Sequence, residues 1–152
     1  MKKIILFLLV IGMVFIPTNV LAMEEDKVVT VEYLKDGTIV ETIIEESTIV
    51  LYSTQSKSGT KTKNHKNASG KILYTIKVNG TFTYNGNTST CTAASATATS
   101  SMSDWKVISK SASKSGNKAI AKATMKQYYD GSVIQTTYPS VTLSCDKNGK
   151  LS

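Results

Sequence analysis

Six lysines recur at every fourth position in the second half of the chain, and they are the most ordered pattern of charge in the sequence. Every fourth residue of a β-strand points the same way. Two strands joined by a three-residue turn at 115–117 would therefore present all six on one face. The predicted cross-strand pairs are Lys106 with Lys126, Lys110 with Lys122, and Lys114 with Lys118.

Such a cationic face could bind an anionic cell-wall polymer or an anionic lipid surface. The alternative is a solvated face that only prevents edge pairing and precipitation. The chain contains no Arg, the residue best suited to bidentate phosphate recognition, so we expect no specific nucleic-acid partner. The opposite face of the same two strands would supply a core of Trp105, Val107, Ala119, Ala121, Ala123 and Met125.

His65 is the only histidine, and it lies in a polar segment, Lys63-Asn64-His65-Lys66-Asn67. A catalytic histidine needs a nucleophile and an orienting acid nearby. No strained Gly-x-Ser-x-Gly elbow, phosphate loop or metal-spaced cluster accompanies it. We therefore expect His65 to be exposed and inert, and the protein to be a non-enzyme with no metal and no cofactor.

The first 22 residues predict a secretory signal peptide. Lys2 and Lys3 precede an unbroken apolar run over 4–16, and the segment ends in Val20-Leu21-Ala22, where a signal peptidase would cleave. The run of about 13 residues is shorter than the roughly 20 of a membrane span, which disfavours an uncleaved anchor. We expect a secreted, extracellular protein, either free in the medium or associated with the cell wall through its charge.

Cys91 and Cys145 are the only cysteines. An isolated pair in an exported chain predicts one disulfide, and two separate thiols are the alternative. The arrangement of Cys91, Trp105 and Cys145 is similar to that of an immunoglobulin-like sandwich, in which a core Trp packs on the bridge. We therefore expect Trp105 to be buried near the disulfide.

The strand pattern predicts an all-β fold, an antiparallel β-sandwich or meander barrel preceded by an N-terminal β-hairpin. Asp36-Gly37 separates the two β-rich runs of that hairpin, and Ser115-Gly116-Asn117 and Asp130-Gly131 mark later turns. Helix is the alternative for 118–129, which is rich in Ala, Lys, Met and Gln. Residues 53–70 have almost no apolar side chains, which predicts a linker or long loop.

Four segments follow from this pattern: a signal peptide over 1–22, a hairpin segment over 23–52, the polar linker over 53–70 and a β-sandwich domain over 71–152. Charge is divided between them. Residues 23–50 hold eight acidic residues and two lysines, whereas 51–152 hold fourteen lysines and three aspartates. The acidic head and the basic body could attract each other.

Several stretches resemble a group of small secreted proteins from Gram-positive, largely gut-dwelling bacteria. They are 80–86 (GTFTYNG), 90–92 (TCT), 104–107 (DWKV), 109–117 (SKSASKSGN), 141–146 (VTLSCD) and 148–152 (NGKLS). The resemblance implies export, a β-rich domain and paired cysteines. It implies no activity, substrate or site residue.

The combined prediction is an exported, monomeric β domain that acts as a non-catalytic binding or structural module. Its partner would be an anionic cell-wall polymer or an anionic lipid surface. The alternative function is a secreted effector, such as a bacteriocin-like toxin or an inhibitor.

Overall fold

The computed structural model describes residues 25–34, 37–49 and 55–152, so the predicted signal peptide lies outside the described residues. The described chain is all-β, with a five-stranded and a four-stranded antiparallel sheet that do not close into a barrel. This confirms the all-β prediction and is compatible with a sandwich. The five-stranded sheet contains β1 (Glu25–Tyr33), β2 (Ile39–Ile49), β3 (Gln55–Lys66), β4 (Ile72–Tyr84) and β5 (Ser89–Ser100), and the four-stranded sheet contains β6 (Trp105–Ser115), β7 (Lys118–Tyr129), β8 (Ser132–Thr137) and β9 (Ser140–Ser144).

The five-stranded sheet is a meander in chain order, and it begins with the predicted hairpin of β1 and β2. In the four-stranded sheet β7 pairs with β6 along one side and with both β8 and β9 along the other. Residues 118–129 are therefore strand and not helix. The stretch after the Asp130-Gly131 turn forms two strands, β8 and β9, since Tyr138 and buried Pro139 interrupt it, and proline cannot donate to a strand ladder.

The prediction of a linker over 53–70 is wrong for most of its length, because 55–66 form β3. This strand pairs with β2 on one side and with β4 on the other along its whole length. The N-terminal hairpin and the following strands consequently share one sheet, and the linker that would have separated them is a central strand.

Hydrogen bonds between side chains explain how so polar a segment forms a central strand. Thr60 Oγ1 donates to Asn79 Oδ1 at 2.8 Å, and Asn79 Nδ2 donates to Ser95 Oγ at 3.0 Å, so one row crosses β3, β4 and β5. A second row crosses β2, β3 and β4, because Asn64 of β3 is hydrogen bonded to Glu41 of β2 and to Thr75 of β4. Cross-strand polar pairs and the β-propensity of Thr replace apolar burial on this outer face.

The core lies between the two sheets and is centred on β4 and β7. The inner face of β4 buries Ile76, Val78 and Phe82, and the inner face of β7 buries Ala119, Ala121, Ala123 and Met125. Trp105 is also buried and Val107 packs against this cluster. The predicted core face of the β6–β7 hairpin is therefore confirmed. The packing of this face against β4 fixes the position of the hairpin in the fold.

Candidate functional site

A β-bulge in β6 divides the six lysines between two faces. Lys106 pairs with Lys126 as predicted, but the register shifts between Val107 and Ser109. Beyond the shift Lys110 pairs with Ala123 and Lys114 pairs with Ala119. The predicted pairs of Lys110 with Lys122 and of Lys114 with Lys118 are wrong, because the bulge adds one residue to β6 and reverses the direction of each later side chain.

Four lysines remain together on the outer surface of the four-stranded sheet, and we call them the lysine face: Lys106, Lys118, Lys122 and Lys126. Cross-strand partners point to the same face, and these lysines alternate with the buried side chains of β7. No acidic residue occurs in β6, β7, β8 or β9. The strands of this sheet therefore supply no acidic partner to the lysine face.

An aromatic ring and hydroxyl groups complete this surface. The ammonium of Lys106 lies 5.2 Å from the ring centroid of Tyr128, a cation–π distance. Ser109 Oγ and Thr124 Oγ1 are hydrogen bonded at 3.0 Å on the same outer side. The surface can offer both charge and hydrogen-bond donors to an anionic ligand.

Lys110 and Lys114 point to the inner side, toward the five-stranded sheet. Lys114 Nζ donates to the Thr92 carbonyl oxygen of β5 at 2.8 Å, so this lysine links the two sheets. Both side chains are exposed, because the edge strand β6 has little cover on either face beyond the bulge. They are not part of the lysine face.

Cys91 and Cys145 are free buried thiols, so the predicted disulfide is wrong. The turn between β6 and β7 explains their separation. The Cys91 N–H donates to the Gly116 carbonyl at 2.8 Å, and the Cys145 N–H donates to the Asn117 carbonyl at 3.1 Å. Each cysteine is thus hydrogen bonded to a different residue of this turn. The two cysteines are too far apart to form a disulfide. Burial raises the pKa of both thiols above their ordinary value.

Trp105 is not near the cysteines either. Trp105 is the first residue of β6, whereas the turn that the cysteines contact follows the last residue of that strand. The two ends of β6 are about 33 Å apart at the usual rise per residue. The analogy with a Trp packed on a bridge is therefore wrong. Trp105 instead contacts Tyr74, with ring centroids 4.9 Å apart.

His65 is not the exposed loop residue that the sequence predicted. It lies near the end of β3 and stacks on Tyr74, with ring centroids 4.5 Å apart and an interplanar angle of 22°. Burial, and secondarily the positive charge of Lys63, lowers the pKa of His65 from 6.5 to about 4. The ring is therefore neutral at physiological pH.

His65, Tyr74 and Trp105 form one wall of a cleft of about 550 Å³ at this end of the sandwich. Tyr138, between β8 and β9, stands at its rim with 76% of its surface exposed. We call this site the aromatic cleft. Its other lining residues are Leu34, Thr38, Leu73, Gln135, Thr137 and Pro139.

Two buried ring nitrogens in this wall, Nε2 of His65 and Nε1 of Trp105, have no hydrogen-bond partner among the described residues. An unpaired buried polar group costs about 1–3 kcal/mol, and such groups are rare in folded proteins. The accessible lining of the cleft is polar and apolar in similar measure, so a ligand there would meet both kinds of surface.

The cleft escaped sequence analysis because its walls come from distant segments, namely the β1–β2 region, β3, β4, β6 and the β8–β9 connection. The only signal in the sequence was the number of aromatic residues, which does not reveal their juxtaposition. The lysine face was visible because its residues follow one another at a fixed spacing.

The described residues contain no group of three or more His, Cys, Asp or Glu side chains that could hold a metal ion. They also include no helix of the length and hydrophobicity needed to cross a membrane. Comparison with known proteins gives no match to this chain among protein-family models, curated proteins or solved structures.

Proposed function

We propose that this chain is an exported, monomeric, non-catalytic module that binds an anionic cell-wall polymer through the lysine face. The observation that carries the proposal is the alignment of Lys106, Lys118, Lys122 and Lys126 on one outer surface of a sheet whose strands contain no acidic residue. A uniform cationic surface attracts polyanions over the distance of the Debye length.

The geometry supports a polymer more than a compact anion. The four lysines are spread along two adjacent strands rather than gathered around one cavity. Lys122 borders a cavity of about 370 Å³ whose other lining residues are uncharged, and the chain has no Arg to form a fork. A repeating anion can contact them in succession, and its binding adds several weak interactions. Such binding depends on charge density and is sensitive to salt.

The test compares two variants of the full chain that carry the same net charge. The first replaces the lysines of the lysine face by Gln: K106Q, K118Q, K122Q and K126Q. The second is the matched control, and it replaces four exposed lysines elsewhere by Gln: K71Q, K110Q, K147Q and K150Q. Retention of each protein on purified Gram-positive cell walls is measured between about 50 mM and 500 mM salt.

We expect the unmodified protein to be retained at low salt and released as salt rises, and the first variant to bind about tenfold more weakly than the control. Equal weakening in the two variants would mean that net charge alone is responsible, and would contradict the assignment. Retention that is insensitive to salt would also contradict it. Binding to anionic lipid vesicles but not to walls would assign the surface to a membrane instead.

A further inference from the structure

We propose that the aromatic cleft is a second binding site and that it takes an uncharged sugar residue of a polysaccharide. This inference concerns a different chemistry from the lysine face, and the two sites approach each other at Tyr138, which also borders a cavity lined by Lys122. It stands on the cleft's rings, on its lack of charge and on its unpaired polar atoms.

The rings supply the apolar part of such a site. His65 stacks on Tyr74 at a centroid distance of 4.5 Å, and Trp105 meets Tyr74 at 4.9 Å with the ring planes tilted by 48°. Tyr74 and Trp105 are themselves buried, at 5% and 4% exposed. Tyr138 at the rim keeps most of its ring exposed and follows a polar strand end. Aromatic side chains offer a large, rigid surface at low entropic cost, and the C–H face of a pyranose ring is the apolar surface of a sugar.

The described residues that line the cleft offer no charge with which to select an ion. None of them is acidic or basic in its charged form, since His65 is neutral at physiological pH. Lys63, whose charge contributes to the low pKa of His65, does not line the cleft. A charged ligand would lose hydration here without gaining a counter-charge from these residues, which disfavours the anionic groups proposed for the lysine face.

The polar atoms match the neutral hydroxyl and amide groups of a sugar. Gln135 and Thr38 border the cleft, and Thr137 Oγ1 lies 3.2 Å from the Tyr74 hydroxyl. Nε2 of His65 and Nε1 of Trp105, both buried in the wall, have no partner among the residues that the structure describes. A purely apolar ligand would leave these groups without partners, whereas a ligand with an apolar face and polar edges satisfies both requirements.

Trp105 is the only Trp in the chain, so its fluorescence reports on the cleft alone. The probe is the β-1,4-linked tetramer of N-acetylglucosamine, whose acetamido group offers a neutral carbonyl acceptor and an N–H donor. The comparison probe is the same tetramer without its acetyl groups, which is cationic. Titration calorimetry of the full chain accompanies the fluorescence titration.

We expect saturable binding of the acetylated tetramer, a change in Trp105 emission, and at least about tenfold weaker binding of the cationic tetramer. The variant Tyr138→Ala should weaken binding by about tenfold or more. Tyr129→Ala is the matched control, because Tyr129 is about equally exposed, at 75%, but is the last residue of β7 and does not line the cleft.

Three results would overturn the proposal: no binding at millimolar tetramer, calorimetric binding without any response from Trp105, or equal effects of the two tyrosine variants. The variant without the lysine face should bind the tetramer normally. Failure of the cleft proposal therefore leaves the proposed function intact, and the reverse also holds.

Discussion

Gly59 and Gly80 lie directly opposite each other on β3 and β4, in the middle of the five-stranded sheet. A Cβ at Gly59 would overlap the Leu151 side chain, and a Cβ at Gly80 would lie 2.7 Å from the Phe82 ring. The glycine pair is thus a gap in the side-chain layer, and the C-terminal segment and the Phe82 ring fill it. Close packing of the two sheets depends on this gap.

Gly59→Ala should therefore destabilise the protein, although Gly→Ala within a strand is ordinarily neutral or favourable. We expect a loss of about 1–3 kcal/mol in the free energy of unfolding, because the new methyl group forces Leu151 out of its position. Urea denaturation of the two proteins measures the difference.

The control is the double variant Gly59→Ala with Leu151→Ala, in which the overlapping side chain is shortened. We expect the two losses to be less than additive, because the residues share one space. Additive losses would show that Leu151 does not occupy the gap at Gly59.

The cysteines provide a second prediction. The native protein should contain two free thiols that react slowly with a thiol reagent, since both are buried and burial raises the pKa of each. Both should react at once after denaturation. An intact mass that increases by about two hydrogens on reduction would instead reveal a disulfide, and would require the β6–β7 turn to move.

The third prediction concerns His65, whose folded-state pKa of about 4 lies below its ordinary 6.5 because of burial and of nearby Lys63. Above pH 6.5 the ring is neutral in the folded and unfolded chains. Between pH 6.5 and about 4 the unfolded chain binds a proton that the folded chain does not, so the free energy of unfolding falls as pH falls through this window.

NMR titration gives the pKa of His65 directly, because the chain has one histidine. His65→Phe is the control, since Phe keeps an aromatic ring against Tyr74 and removes the titrating group. Its stability should vary less over this pH window. A midpoint near 6.5 in the folded protein would contradict the buried position of the ring.

The elements that sequence analysis found are those in which local signals agree with the fold. Residues 72–84 alternate between apolar and polar side chains and form β4. The Asp130-Gly131 turn separates β7 from β8, and both residues have positive φ, at 47° and 74°. Such a turn can be recognised from its two residues alone.

The missed features depend on partners that are distant in sequence. β3 has no apolar alternation, and its pairing with β2 and β4 is stabilised by side chains of those strands. The bulge between Val107 and Ser109 leaves no composition signal, yet it moves Lys110 and Lys114 to the other face. The aromatic cleft likewise exists only after the sandwich has formed.

The fourth prediction compares two asparagines of the outer face of the five-stranded sheet. Asn64 Nδ2 donates to Glu41 Oε2 at 2.8 Å, and Asn64 Oδ1 accepts from Thr75 Oγ1 at 2.8 Å. Asn79 makes the same number of bonds, with Thr60 and Ser95. The difference is burial, because Asn64 is only 9% exposed whereas Asn79 is exposed.

Asn64→Ala should cost about 1–3 kcal/mol of unfolding free energy, because it removes two bonds where water cannot easily replace them. Asn79→Ala should cost about 0.5–1 kcal/mol, since water reaches the groups that it releases. Thermal or urea denaturation of both variants measures the ratio. Equal losses would mean that the hydrogen bonds of Asn64 are as well hydrated as those of Asn79. Burial of side-chain hydrogen bonds would then not explain why the polar strand β3 is stable at the centre of its sheet.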